Sequence, residues 1–302
     1  MSMDRFESKL GNKSFLVTME VNPPKGTDLS EILKAAEGVH GLVDAINVTD
    51  GSGAIMRACA LAVAKVILET GIDPIFQMTC RDRNRLALQA DLLGAAMLGI
   101  RNLLLLTGDD PKAGDHPDAK PVFDINSATL MQVARGLAQG KDMAGKDLAG
   151  SPKFCIGAAA DPGAKDLEVE MQKFKAKLDG GAQFFQTQAV FNAGGFGAFM
   201  SRAKALKKPV LAGILLVKSA KMARYMNEHV WGIHVPEDLI ARFEQANDKR
   251  AECVAVTVGL IRAVREAGAD GIHLYPLGWE DLVPQILREA GVGERSTVKA
   301  RG

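Results

Sequence analysis

The residues of this chain with chemistry to offer are carboxylates and amides, and they fall at the ends of apolar runs. In "FLVTMEVNPPKG" (15–26) an apolar run ends in Glu20, and Pro23 and Pro24 then break the chain. A carboxylic acid in such a place can have a raised pKa and donate a proton near neutral pH. It can equally be a loop residue held by solvent, and the position alone does not choose. A second carboxylate, Asp109, follows Gly108 and could stabilise positive charge beside a cofactor. Amide side chains such as Gln188 supply directional hydrogen bonds to a heteroaromatic ring. Acids and amides together suit a heterocyclic cofactor and a substrate that becomes cationic.

Other chemistries find little support. The five histidines (His40, His116, His229, His234 and His273) show no His-x-His or HExxH spacing, so a catalytic metal is not expected. Only His273 lies in a strand-like run, where it reads as a hydrogen-bonded core histidine. No G-x-S-x-G elbow and no G-x-x-x-x-G-K-[ST] loop occurs. "VTDGSGAIM" carries Gly51 and Gly53, but Met56 stands where a dinucleotide fingerprint needs a third small residue. The plainer reading is a βα loop whose amides favour an anion.

Four cysteines (Cys59, Cys80, Cys155 and Cys253) lie far apart with no CxxC, which points to free thiols in a reducing cytoplasm and no iron–sulfur ligands on this chain. The net charge of +1 gives no footprint for nucleic acid, and the "RAKALKK" cluster (202–208) reads as a solvated helix face. The longest apolar stretch, "ACALAVAKVIL", is interrupted by Lys65, so no membrane span is expected, and no signal peptide is visible.

The elements that must position these residues are legible. Eight short strand-like runs occur at 14–20, 43–49, 73–79, 101–107, 153–159, 182–188, 209–216 and 270–276. Between them lie segments with apolar residues at helical spacing, such as "LSEILKAAEGV", "MRACALAVAKVILETG", "RLALQADLLGAAMLG" and "EVEMQKFKAKLDGG". Strand–helix alternation implies a parallel sheet, and eight units in 302 residues predict a closed (β/α)8 barrel, an α/β TIM barrel. An open doubly wound sheet is the alternative. No domain boundary is visible, so residues 1–302 read as one barrel domain with a helical excursion at about 219–266. The stretch 110–125 reads as a long loop at the ligand end of the fourth strand, and the tail "GERSTVKARG" as frayed.

In such a barrel, ligands bind at the C-terminal strand ends. Those ends carry Glu20, Thr49, Asp50, Gln77, Thr79, Thr107, Gly108, Asp109, Ala160, Asp161, Gln186, Gln188, Lys218 and Tyr275.

At this point the chain resembles the FAD-dependent methylenetetrahydrofolate reductase family of bacterial type. "MEVNPP", "NVTDGSG", "MTCRDRN", "LLLTGDDP", "KAKLDGGAQFFQTQAVFN" and "AGILLVKS" match six family motifs in order, over roughly residues 12–288. The resemblance implies interconversion of 5,10-methylenetetrahydrofolate and 5-methyltetrahydrofolate by hydride transfer through FAD. It makes Glu20 the general acid that helps open the bridged folate ring. Asp109 would lie near both flavin and pterin, while Gln188 and Tyr275 would contact the folate. Thr49, Gln77, Thr79, Ala159 and Lys177 match positions that line the FAD; Phe123 and Ser127 fall where the family meets its ADP half.

The departures concern the electron donor. Thr107 stands where many relatives carry Arg, Gln77 where His is frequent, Asp161 where an aromatic is common, and Ala220 where a phenylalanine helps hold the nicotinamide. Trp279 replaces a basic residue able to meet the folate tail. The folate side is kept and the nicotinamide side altered, so NADH or NADPH is expected to serve poorly, or another donor to reduce the flavin. Two alternatives stay open: a flavin-binding subunit fed by an electron-transfer partner protein, and a barrel that binds another pterin. A homo-oligomer is the expected assembly.

Overall fold

A computed structural model describes residues 5–12, 14–230 and 232–293; the tail from residue 294 lies outside the described residues. Eight parallel strands close in sequence order into a barrel: β1 (Leu16–Val21), β2 (Ala45–Val48), β3 (Pro74–Thr79), β4 (Asn102–Leu106), β5 (Cys155–Ala160), β6 (Phe184–Ala189), β7 (Val210–Leu215) and β8 (Gly271–Tyr275). The seam is β1 against β8, with Thr18 beside His273. Closure excludes the doubly wound alternative.

Eleven α-helices accompany the described strands: α1 (Phe6–Lys9), α2 (Ser30–Val39), α3 (Ala60–Glu69), α4 (Arg85–Met97), α5 (Ser127–Ala138), α6 (Leu167–Asp179), α7 (Ala193–Ala203), α8 (Ala220–His229), α9 (Glu237–Gln245), α10 (Lys249–Glu266) and α11 (Val283–Ala290). Polar side chains start most of them. Asn84, Asn126, Asp166, Asn192, Ser219 and Asp248 each accept a hydrogen bond from a first-turn N–H. One helix starts later than its apolar pattern predicts. The segment from Met56 to Cys59 is used in the loop instead: the Met56 N–H donates to Asp115 and the Ala58 N–H to the Pro24 carbonyl. Helix α3 therefore begins at Ala60.

Side chains alternate along each strand between the helix-packed outside and the barrel interior. The interior floor is apolar: Ala45, Ile75, Leu104, Cys155 and Phe184 pack together, and Phe6 of α1 plugs the N-terminal end. The Phe6 and Phe184 rings meet edge to face, 5.1 Å between centroids. Phe184 reaches across to β5, where a Cβ on Gly157 would fall 2.3 Å from its ring. Only glycine fits there. Two residues further along β2, β3 and β6 the interior turns polar, at Asn47, Gln77 and Gln186.

Candidate active site

The polar layer is a hydrogen-bonded web that crosses the barrel. Asn47 on β2 and Gln186 on β6 pair through their amides, at 2.7 and 3.0 Å. Gln186 Nε2 also donates to Thr18 Oγ1 at 3.0 Å and lies 3.3 Å from His273 Nδ1. Thr18 Oγ1 is 2.9 Å from the same Nδ1. All four residues are buried, and a buried polar network holds one arrangement only when every member has a partner.

Above the web, at the C-terminal end of β1, stands Glu20, 8% exposed. Its Oε2 lies 3.7 Å from His273 Nε2. Tyr275 on β8 packs edge-on against the His273 ring, and its hydroxyl donates to the Thr187 carbonyl at 2.8 Å. Burial first, then the nearby Glu20 charge, push the Tyr275 phenol well above its ordinary range, so it stays protonated. The β6 ladder shifts register between Gln186 and Ala189, which places Gln188 in an irregular step. Bulges of this kind re-aim side chains beside sites. Gly213 of β7 permits it: a Cβ there would lie 2.3 Å from the Thr187 carbonyl oxygen and 2.9 Å from the Tyr275 ring. Glu20, Gln188 and Tyr275 thus share the β1–β8–β6 side of the mouth.

The β2–β4 side is built differently. Gly51 and Gly53 adopt left-handed backbone around a short 3-10 turn, and no long helix follows directly. The Gly53 amide does meet an anion, but it is the chain's own Asp109 carboxylate, at 2.9 Å. Lys25 pairs with Asp115, and Gly114 approaches so closely that a Cβ would overlap the Ala54 carbonyl. The long loop after β4 is thereby fastened to the loops after β1 and β2. Asp50 is fully engaged: it accepts from the Thr79 N–H and hydroxyl and from Arg83. Thr49 donates to Asn22 Oδ1 at 2.8 Å.

The remaining residues expected around a cofactor spread along β3, β4 and β5. Gln77 is 6% exposed, and its amide has no hydrogen-bond partner among the described residues. The Lys177 ammonium reaches back to the Ala159 carbonyl at 2.7 Å. Burial lowers its pKa, partly opposed by Glu170. Ser127, the first residue of α5, sits by Thr107, 3.2 Å between hydroxyls. Phe123 takes a left-handed backbone (φ 39°) and is partly exposed. Asp161 is half-buried, and burial raises its pKa against the Gly163 N–H that lowers it. The connection between α8 and α9 reaches over this side: a Cβ on Gly232 would come within 4.0 Å of both Asp161 and Gln188. Asn227 holds that connection by bonding both the N–H and carbonyl of Val235.

Sequence reasoning placed His273 correctly in the core but not against Glu20, and it gave Thr18 and Asn47 no role. Period-two alternation back from Glu20 reaches Thr18, so that signal was present. The meeting of β1 with β8 was not.

Fold and site together define a (β/α)8 barrel with a buried carboxyl group and amides at its mouth, a class suited to planar heterocyclic ligands. The model of the family described as methylenetetrahydrofolate reductase matches residues 5–291, and the chain belongs to that family. A 5,10-methylenetetrahydrofolate reductase of Pectobacterium carotovorum is 24% identical over 91% of this chain and 90% of its own length. Methylenetetrahydrofolate reductase 1 of Schizosaccharomyces pombe is 23% identical over 82% of this chain, which spans only 40% of that longer relative. Among solved structures, a Clostridium thermocellum protein described as binding two copies of 5-methyl-5,6,7,8-tetrahydrofolic acid shares the fold, with TM-score 0.62 at 15% identity, covering 95% of this chain and 99% of that one. Among the described residues, no helix is long and apolar enough to cross a membrane.

Proposed function

We propose that this chain is an oxidoreductase acting on a CH–NH bond, interconverting 5,10-methylenetetrahydrofolate and 5-methyltetrahydrofolate through FAD. The observation that carries the reading is Glu20: a buried carboxyl group at the end of β1, among neutral hydrogen-bonding groups, opening toward the mouth of the barrel. The family membership and the folate bound by the Clostridium thermocellum protein support it.

The residues present fit a flavin. The unpartnered Gln77 amide offers hydrogen bonds to a ring edge. Gly108 and Ala159 leave β4 and β5 with small residues at their ends, where a flat ring needs room. Thr49, Thr79, Asp109 and Lys177 would frame it, with Phe123 and Ser127 toward its ADP half. When bound, FAD supplies the hydride chemistry, and the barrel supplies orientation and electrostatics.

The chain's own part is proton management. Glu20 would deliver a proton to the leaving nitrogen of the bridged folate ring and recover it in the reverse direction. Asp109 would offset the positive charge that ring opening creates. Gln188 and Tyr275 would orient the pterin, Tyr275 as a permanently protonated wall.

A second reading concerns the electron source. By the resemblance, Asp161, near Gly232 of the α8–α9 connection, stands where an aromatic is common, and Ala220 where a phenylalanine helps hold the nicotinamide. This favours poor use of NADH or NADPH and reduction by a partner protein. We place the enzyme in the cytoplasm, in keeping with its four free cysteines, and expect a homo-oligomer. The test is an anaerobic absorption titration, first with NADH and NADPH, then with methyltetrahydrofolate. Bleaching by the folate alone supports both readings. Bleaching by both donors removes the partner. No flavin band after FAD is added removes the proposed chemistry.

A further inference from the structure

We propose that the N-terminal end of the barrel carries a second site, separate from the mouth, for an aliphatic chain with an anionic head. The cavity there has a volume of about 550 Å³, within the roughly 300–1,000 Å³ of small-molecule sites. One wall is the last turns of α4, with Leu93, Ala96 and Met97; the other is the segment from Leu148 to Lys153. Arg101 also lines it, just before β4, and Lys153 stands two residues before β5. The Cys155 N–H donates to the Arg101 carbonyl at 2.9 Å. These are the starts of the strands whose far ends lead to Asp109 and Ala159, so cavity and mouth lie at opposite ends of the barrel. The outer wall is held by its own bonds. Lys141 and Asp147 form a short antiparallel bridge, the Leu148 N–H donates to the Gly140 carbonyl, and the Met143 N–H donates to Gln89 of α4 at 2.9 Å.

The lining chooses the ligand. Arg101 and Lys153 are its only charged side chains among the described residues, and neither has a side-chain hydrogen bond or ion pair to another described residue. The acids of the neighbouring hairpin are engaged elsewhere: Asp147 pairs with Lys141, and Asp142 accepts from the Ala144 and Lys146 amides. An anion seated here gains charge-assisted hydrogen bonds from a guanidinium and an ammonium that have no other partner. No aromatic ring lines the cavity, so a nucleobase or a pterin finds no stacking platform. Leu93, Leu148 and Met97 offer aliphatic surface instead. Met97 is 88% exposed, and its unbranched thioether adapts to a chain laid against it. Covering that surface supplies the apolar part of the binding, and the two cations fix the head. A carboxylate and a phosphate share this chemistry.

Calorimetric titration of the full chain, with FAD added, tests this with decanoate, decyl phosphate and decanol, each below its micelle concentration. Saturable binding of one or both anions is expected, with decanol weaker by about tenfold or more. The tighter anion identifies the head group. Arg101→Gln and Lys153→Gln should each weaken that anion by about tenfold, the loss of one charge-assisted hydrogen bond. Met97→Glu changes a side chain exposed enough to leave folding intact, and its carboxylate should abolish binding by competing for the two cations. Decanol binding as tightly as the anions overturns the proposal, as does anion binding unchanged in all three variants, which would put the ligand elsewhere on the chain. Unchanged binding in Arg101→Gln and Lys153→Gln with a lowered unfolding midpoint would mean that the cations serve only the C-terminal end of α4, and the proposal falls. Light scattering separates the other occupant: if neither anion binds and Met97→Glu dissociates an oligomer of the wild-type chain, this face is a contact between copies and not a ligand site.

Discussion

The lower and upper halves of the barrel interior are built on the same eight strands and do opposite work. In the lower half Phe6, Ile75, Leu104, Cys155 and Phe184 fill the space with carbon, and Gly157 is a glycine because the Phe184 ring occupies its Cβ position. One pleat higher the interior holds Asn47, Gln77, Gln186 and His273, and above them Glu20. On β2 and β6 a step of two residues changes the interior from a packed solid to a platform in which Asn47, Gln186, Thr18 and His273 are hydrogen-bonded. The floor excludes water from below, so the platform can hold a carboxyl group in one orientation. Closure of the barrel brings strands from opposite ends of the chain under the same carboxylate.

If the division holds, damage to the floor should cost stability and damage to the platform should cost turnover. The largest stability effect is expected from Phe184→Ala. It empties the floor and should lower unfolding free energy by about 3–5 kcal/mol in denaturant titration. A loss under 1 kcal/mol would mean the floor is not the structural half. Glu20→Gln is the counterpart. It should cut folate-dependent flavin bleaching by about 10²–10⁴-fold, while FAD binding and the unfolding midpoint change little. Unfolding well below the wild-type midpoint would make Glu20 a structural residue.

Asp161 sharpens the comparison at the rim. Its folded-state carboxyl titrates above the ordinary 3.8 because of burial. The folded chain therefore keeps that proton longer than the unfolded chain. This contribution to stability is present in acid and is lost as pH rises above 3.8 through the folded value. Asp161→Asn should gain a few tenths of a kcal/mol at pH 7, after solvent screening, and nothing at pH 3. Equal effects at both values would mean its charge is unstrained.

The smallest effect is chemical labelling. Cys155 lies in the floor, and burial pushes its thiol far up. Burial also raises Cys80 and Cys253, each to about 11. Cys59, before α3, is exposed. Iodoacetamide at pH 8 should modify Cys59 alone in the native chain, by intact mass. Rapid labelling at Cys155 would mean the floor opens.

Much of this organisation was legible in the order of residues. The runs at 73–79 and 101–107 became β3 (Pro74–Thr79) and β4 (Asn102–Leu106) with ends displaced by one residue or so, because apolar runs between glycine and polar turns leave little freedom in boundary. The strand-end position of Glu20 followed from the Pro23–Pro24 break. Less legible was the loop after β2, where glycines suggested an anion site and the anion proved to be Asp109. The span 56–59 carried helical spacing, yet Asp115, from another loop, drew its amide away from the helix.

What the sequence determined by itself is the barrel, its strand-end residues and the family, since these depend on local periodicity and short motifs. What only the tertiary structure decided is how those residues meet. Thr18 and His273 are 255 residues apart and touch because the last strand closes on the first. Gly232 lies beside Asp161 and Gln188 because Asn227 folds its connection back over the mouth. No local pattern encodes such pairings. They are set when buried polar groups must find partners inside a closed barrel, and that requirement turns a core histidine toward Glu20.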